Sequence, residues 1–165
     1  MTEPNGRISR RSILQGAAWT MPVIAAAVAA PAVAATGGGE AGAFILLGDC
    51  RLPLGFLLQA SQAHPVPAGT TIDITLSRRS GSFNLEISPA IGWVERPGIQ
   101  SCRVVLASEL PAGQLLQMKT DLWSASELRL DASCTLPSGY TAVGAQMQAY
   151  VDVWLGENSV TCRSS

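Results

Sequence analysis

The sequence predicts an all-β domain, an antiparallel sandwich of about eight to ten short strands, and three observations point there. The first is a period of two in the apolar residues. Ile72, Ile74 and Leu76 alternate with Thr71, Asp73, Thr75 and Ser77, and Phe83, Leu85 and Ile87 alternate with Ser82, Asn84, Glu86 and Ser88. Leu128, Leu130, Ala132 and Cys134 share one parity. The longest run sets Ala145, Met147, Ala149, Val151, Val153 and Leu155 against Gln146, Gln148, Tyr150, Asp152 and Trp154. Such alternation buries one face of an extended strand and wets the other. The second observation is turn chemistry between the runs, and the third is the lack of any sustained stripe at helical spacing.

Taken in order, Thr36-Gly37-Gly38-Gly39-Glu40 is too glycine-rich to fold alone, so residues 36–42 are expected to be a flexible lead-in to a domain over 43–165. Strands are expected near 43–49 and 53–60, and Pro67-Ala68-Gly69 then introduces a strand over 70–78. Arg79-Ser80-Gly81 separates that strand from 82–88, and Pro97-Gly98 separates 92–95 from 100–107. Pro111-Ala112-Gly113 leads into 114–119, which is followed by 126–134. Pro137-Ser138-Gly139 leads toward 144–155, and Gly156-Glu157-Asn158 turns the chain into 158–163.

Residues 1–35 stand apart from this pattern. Arg7, Arg10 and Arg11 are set against a single acid, Glu3, and residues 17–35 carry no charge. The run closes on Ala32, Val33, Ala34 and Ala35, small enough for the shallow pockets of a signal peptidase. Ser9-Arg10-Arg11-Ser12-Ile13-Leu14-Gln15 resembles the twin-arginine export consensus at Ser9, Arg10, Arg11, Ile13 and Leu14, and departs from it at Gln15, where lysine is common. The resemblance implies passage through the twin-arginine translocase, removal of residues 1–35 and a secreted or cell-surface product. The alternative is an uncleaved anchor, since the uncharged run approaches the roughly 20 residues of a membrane span. Its alanine content, Pro22 and Pro31 weaken insertion, so cleavage is expected, with no stable membrane anchor afterwards.

Three of the eleven basic and one of the twelve acidic side chains fall in that segment, which leaves the rest with a net charge of about −3. The charges are scattered except for Arg78-Arg79. No basic stripe could neutralise a phosphate backbone, so nucleic acid is not an expected partner. Cys50, Cys102, Cys134 and Cys162 are even in number, and no Cys-x-x-Cys occurs. In an oxidising exterior they are expected to form two disulfides, with Cys50–Cys102 and Cys134–Cys162 preferred among three connectivities. Cys102, Cys134 and Cys162 share parity with apolar neighbours and are expected to face inward.

Pro65-Val66-Pro67-Ala68-Gly69-Thr70-Thr71, followed by the alternation through Leu76, resembles the strand opening of bacterial immunoglobulin-like surface domains. With the leader, the chain is similar to small secreted immunoglobulin-like proteins of GC-rich Gram-positive bacteria. The resemblance implies an immunoglobulin-like sandwich and no particular activity. It departs from antibody domains in that Trp93 lies only nine residues before Cys102.

Chemistry is sparsely represented. The single histidine, His64, precedes Pro65 in an expected loop, and no Gly-x-Ser-x-Gly motif occurs. Asp73, Glu86, Glu127, Asp131 and Asp152 fall on the outward parity and read as a solvated sheet face rather than a glycosidase pair. No calcium loop, other metal site or cofactor site is expected. The remaining candidate is a binding face of Gln146, Gln148, Tyr150 and Trp154, where aromatic rings beside amides could receive a sugar or a protein, unless a loop or Trp123 covers them. A non-catalytic extracellular domain binding cell-wall material or a protein partner is therefore expected. A structural or accessory domain and, last, an unrecognised secreted hydrolase are the alternatives.

Overall fold

The structure, a computed structural model, describes residues 38–123, 127–156 and 159–165. The export motif and the cleavage residues lie outside the described residues. Ten strands are present: β1 (Ile45–Asp49), β2 (Gly55–Gln59), β3 (Thr71–Ser77), β4 (Leu85–Ser88), β5 (Gly92–Gly98), β6 (Ser101–Leu106), β7 (Leu115–Thr120), β8 (Leu128–Thr135), β9 (Gln148–Leu155) and β10 (Val160–Ser164). Each falls within one of the ten expected segments or overruns it by a few residues. Among the described residues there is no helix.

Two sheets form, in the orders β1-β2-β7-β4 and β10-β9-β8-β3-β6-β5. All pairings between these strands are antiparallel. The sheets of an immunoglobulin constant domain read ABED and GFC. Here β1, β2, β7 and β4 occupy A, B, E and D, and β9, β8 and β3 occupy G, F and C. Two additions distinguish the chain: β10 extends the sheet beyond G, and the β5–β6 hairpin, which follows β4 in sequence, extends it beyond C. The inner parity of both sheets fills the space between them. Phe56, Leu58, Leu116 and Met118 from one layer share a core with Ile72, Ile74, Leu130 and Val151 from the other, all fully buried. Each such side chain contributes roughly 1.5–3 kcal/mol relative to exposure.

The Pro-x-Gly triplets are three copies of one turn. Thr70, Gln114 and Tyr140 each donate a backbone N–H to the carbonyl of the proline three residues earlier. Gly69, Gly113 and Gly139 take φ values of 82°, 72° and 86°. A type II turn needs positive φ at this position, which a side chain disfavours. In the first triplet, buried Thr70 adds an Oγ1 bond to the Pro67 carbonyl at 2.8 Å, which accounts for its place ahead of β3.

Four expectations are corrected. First, the lead-in is tied down before residue 42. Glu40 and Thr141 form a parallel bridge, the Ala41 N–H donates to the Thr141 carbonyl, and Ala41 is fully buried. This strip continues into β1, where the Leu46 N–H donates to the Gln146 carbonyl while Leu46 is in register with Leu58 of β2, so the segment runs along the approach to β9. At Gly48 a Cβ would lie 2.1 Å from the Tyr150 carbonyl oxygen, so only glycine lets β1 pass that close.

Second, the cysteines pair differently. Cys50 is bonded to Cys162, 112 residues away, while Cys102 and Cys134 are buried free thiols. Cys102 on β6 lies opposite Ile74, and Cys134 on β8 lies opposite Ile72. The two thiols thus flank β3, two strand spacings or about 10 Å apart, beyond the ~7 Å Cα separation that a disulfide tolerates. Cys162 lies opposite Val153, and Val153 opposite Leu128. That is the far end of β8 from Cys134, roughly 20 Å away.

Third, inward parity on β10 holds at Cys162, which packs against the core and bonds to Cys50 beside β1, but not at Val160, which is 48% exposed at the start of this outermost strand. Fourth, Pro97-Gly98 belongs to β5 rather than to a turn; the register is irregular between Glu95 and Gly98. An edge strand tolerates the missing N–H.

Candidate functional site

The expected binding residues fall on the outer face of β8, β9 and β10. Along β9 the inner parity buries Ala149, Val151 and Val153, so Gln148, Tyr150, Asp152 and Trp154 project from the opposite face. Register places Arg129 of β8 opposite Asp152, Asp131 opposite Tyr150, and Arg163 of β10 opposite Asp152. Both rings are half-buried. A guanidinium lies over each: Arg129 Cζ is 4.9 Å from the centre of Tyr150, and Arg163 Cζ is 5.3 Å from that of Trp154.

Asp152 organises this face. Its outward parity predicts a wet carboxylate, but it is 2% exposed. Arg78 Nη1 donates to Oδ1 at 2.9 Å, and Arg129 Nη1 donates to Oδ2 at 3.2 Å. Arg129 also binds Asp131, with Nη2 2.8 Å from Oδ1. The bond to Asp131 is the larger of the influences that raise the Arg129 pKa, so its charge is fixed at any physiological pH. Buried between two cations, Asp152 holds both guanidinium planes in place, and Arg129 in turn sits on Tyr150. Arg163 is exposed and makes no ion pair among the described residues. An open depression of about 490 Å³ adjoins Tyr150, lined also by Thr75, Arg129, Asp131, Ser133 and Gln148. Gln146 is only partly available: its side-chain amide donates to the Leu46 carbonyl at 2.9 Å and so helps hold β1.

The other sequence candidates disperse. His64 is exposed in its loop, where its N–H and carbonyl are bound by the Ser61 hydroxyl. Asp73 pairs with Arg103 at 2.7 Å. Glu86 and Glu127 are exposed, and β4 with Glu86 lies in the other sheet. Among the described residues, no group of three His, Cys, Asp or Glu side chains could hold a metal ion. Burial pushes the Cys134 thiol up to about 12 and also raises that of Cys102, so both stay protonated and unreactive as nucleophiles at neutral pH.

One cluster escaped the sequence reading. Asp49, 5% exposed, accepts from Arg51 Nε at 2.9 Å and from Lys119 Nζ at 2.6 Å. Burial alone would raise its carboxyl, but the bonds from Arg51 and Lys119 outweigh burial and hold it well below the usual range. Lys119 is the sole lysine of the chain, and its partner lies 70 residues away. Neither spacing nor composition signals that contact. In comparisons with known proteins, no family model matches the chain, and no curated protein matches it.

Proposed function

We propose that the chain is an exported, non-catalytic, immunoglobulin-like extracellular domain that binds cell-wall material or a protein partner through the outer face of β8–β9–β10. The observation that carries this reading is the pair of guanidinium-capped aromatic rings beside an open depression. Rings and arginines are the side chains that most often anchor an interface. Asp152 holds Arg78 and Arg129 in advance, which lowers the entropy lost on binding. Arg163 presents a cation that suits an acidic wall polymer or a carboxylate-bearing protein surface. The twin-arginine resemblance supplies the location and brings in the translocase and signal peptidase as transient partners.

Co-sedimentation with purified Gram-positive cell walls tests the reading. The wild-type protein is expected to sediment, and Arg163→Ala or Trp154→Ala to weaken binding by about 5- to 30-fold, the loss of roughly 1–2 kcal/mol. If wild type stays in the supernatant, the wall arm fails. A photo-cross-linker at position 154 in living cells then tests the protein arm, and without a saturable adduct the domain is an accessory element with no specific ligand.

A further inference from the structure

Trp123 lies just beyond β7, in the layer opposite the β8–β9–β10 face, and is 58% exposed. It lines an open depression of about 270 Å³ together with Pro53, Asn84, Glu86, Lys119, Thr120 and Asp121. Ligand sites usually span roughly 300–1,000 Å³, so this one has room for a single ring-sized group.

One wall is built in advance. Arg96 Nη1 donates to the Phe83 carbonyl at 2.9 Å, and Arg96 Nη2 donates to Asn84 Oδ1. Asn84 in turn donates through its backbone N–H to Asp121 Oδ1 at 2.8 Å, and through Nδ2 to Oδ2 at 2.7 Å. The amide and the carboxylate are therefore fixed in orientation. Lys119 is committed elsewhere, to Asp49 and to the Arg51 carbonyl. Among the described residues, the Glu86 carboxylate and the Trp123 indole N–H have no hydrogen-bond partner. The depression thus offers a flat apolar platform with one N–H, facing a rim dominated by acceptors.

We propose that this depression is a subsite for one pyranose ring of a neutral glycan, stacked on Trp123 and donating hydroxyl hydrogen bonds to Glu86 and Asp121. A pyranose matches both halves of the site, with C–H bonds on its face and hydroxyl donors at its edge. Ionised carboxylates only accept, so they need a ligand that donates. An anionic sugar or a phosphate would meet Glu86 and Asp121 with the only lysine already engaged, and so is disfavoured. A quaternary ammonium favours enclosure by several rings, whereas a single open indole is a stacking platform. This subsite does not depend on whether the β8–β9–β10 face binds anything.

Titration of the full chain with chitotetraose and cellotetraose, followed by tryptophan fluorescence and calorimetry, tests the proposal. At least one of the two is expected to bind saturably, with an affinity that is insensitive to salt because the ligand carries no charge. Trp123→Ala is expected to weaken it tenfold or more, Glu86→Gln about threefold, and Trp93→Ala, an exposed tryptophan on β5, not at all. Far-UV circular dichroism confirms that each variant is folded, and Glu86→Gln reads the site independently of the exposed tryptophan. The proposal is overturned if neither tetrasaccharide saturates, if Trp123→Ala binds as wild type does, or if only tetramethylammonium competes for the site.

Discussion

The outer faces of the two sheets are built on different principles. On the six-stranded sheet, Arg103–Asp73, Arg129–Asp131, Arg129–Asp152 and Arg78–Asp152 pair acids with arginines across β6, β3, β8 and β9. On the four-stranded sheet, register brings Leu47 opposite Leu57, while Ile45 and Leu115 flank Gln59. Ile45 is 39% and Leu115 36% exposed. Charge on that sheet is gathered at one end of its strands, at Asp49, Arg51, Lys119 and Glu86. One face is thus held by directional pairs that fix side-chain positions; the other is smooth apart from a polar corner at Trp123. The two proposed sites follow this division, with arginines and aromatics on one face and a lone indole with carboxylates at the corner of the other.

The disulfide joins the two layers, and breaking it should have the largest effect. Cys50→Ser with Cys162→Ser is expected to cost about 2–5 kcal/mol in urea unfolding, since the bond closes a long loop of the unfolded chain. The same pairing predicts that two thiols per chain resist a thiol reagent at pH 8 in the native protein and react after denaturation without reductant. Finding none would restore the two-disulfide arrangement.

Next come the two buried carboxylates, one on each layer. Asp152→Asn and Asp49→Asn are each expected to cost about 1–3 kcal/mol at pH 7, less than a fully buried pair because the partner cations reach solvent. The Asp49 contribution depends on pH. Asp49 titrates lower folded than unfolded, so its stabilisation is complete well above its ordinary value of 3.8 and is lost as pH falls below it. The gap between wild type and Asp49→Asn should therefore narrow progressively as pH falls below about 4. A constant gap would show that Asp49 acts through packing rather than charge.

The smallest effect belongs to the smooth face. Leu115→Thr is expected to change stability by no more than about 0.5 kcal/mol, whereas its buried neighbour Leu116→Ala costs about 2–5 kcal/mol. A large loss from Leu115→Thr would mean that the apolar strip is covered in the native protein.

The fold was legible wherever alternation met a facing layer. β3, β8 and β9 carry polar residues at every second position, and each buries the parity that its pattern predicts. In β1 and β2 the runs Ile45-Leu46-Leu47 and Phe56-Leu57-Leu58 are apolar at every position, so the pattern does not choose a face. The structure buries Leu46, Phe56 and Leu58 and leaves Ile45 exposed. At β10 the pattern held for Cys162, which packs against the core, but not for Val160, which is exposed. The candidate site was legible in half: parity put Tyr150 and Trp154 on one face, but the arginines capping them come from the neighbouring strands β8 and β10, whose register the pattern of β9 does not fix.

The sequence by itself determined the strands and most of their turns, because these rest on local chemistry: pleat alternation and the positive φ of Gly69, Gly113 and Gly139. Only the tertiary structure decided which cysteines meet, which carboxylate is buried and which cation each acid holds. Those depend on strand order and register, set by packing the two sheets together. Cys50 and Cys162 are 112 residues apart and bonded, while Cys102 and Cys134, closer in sequence, are kept apart by β3 lying between them.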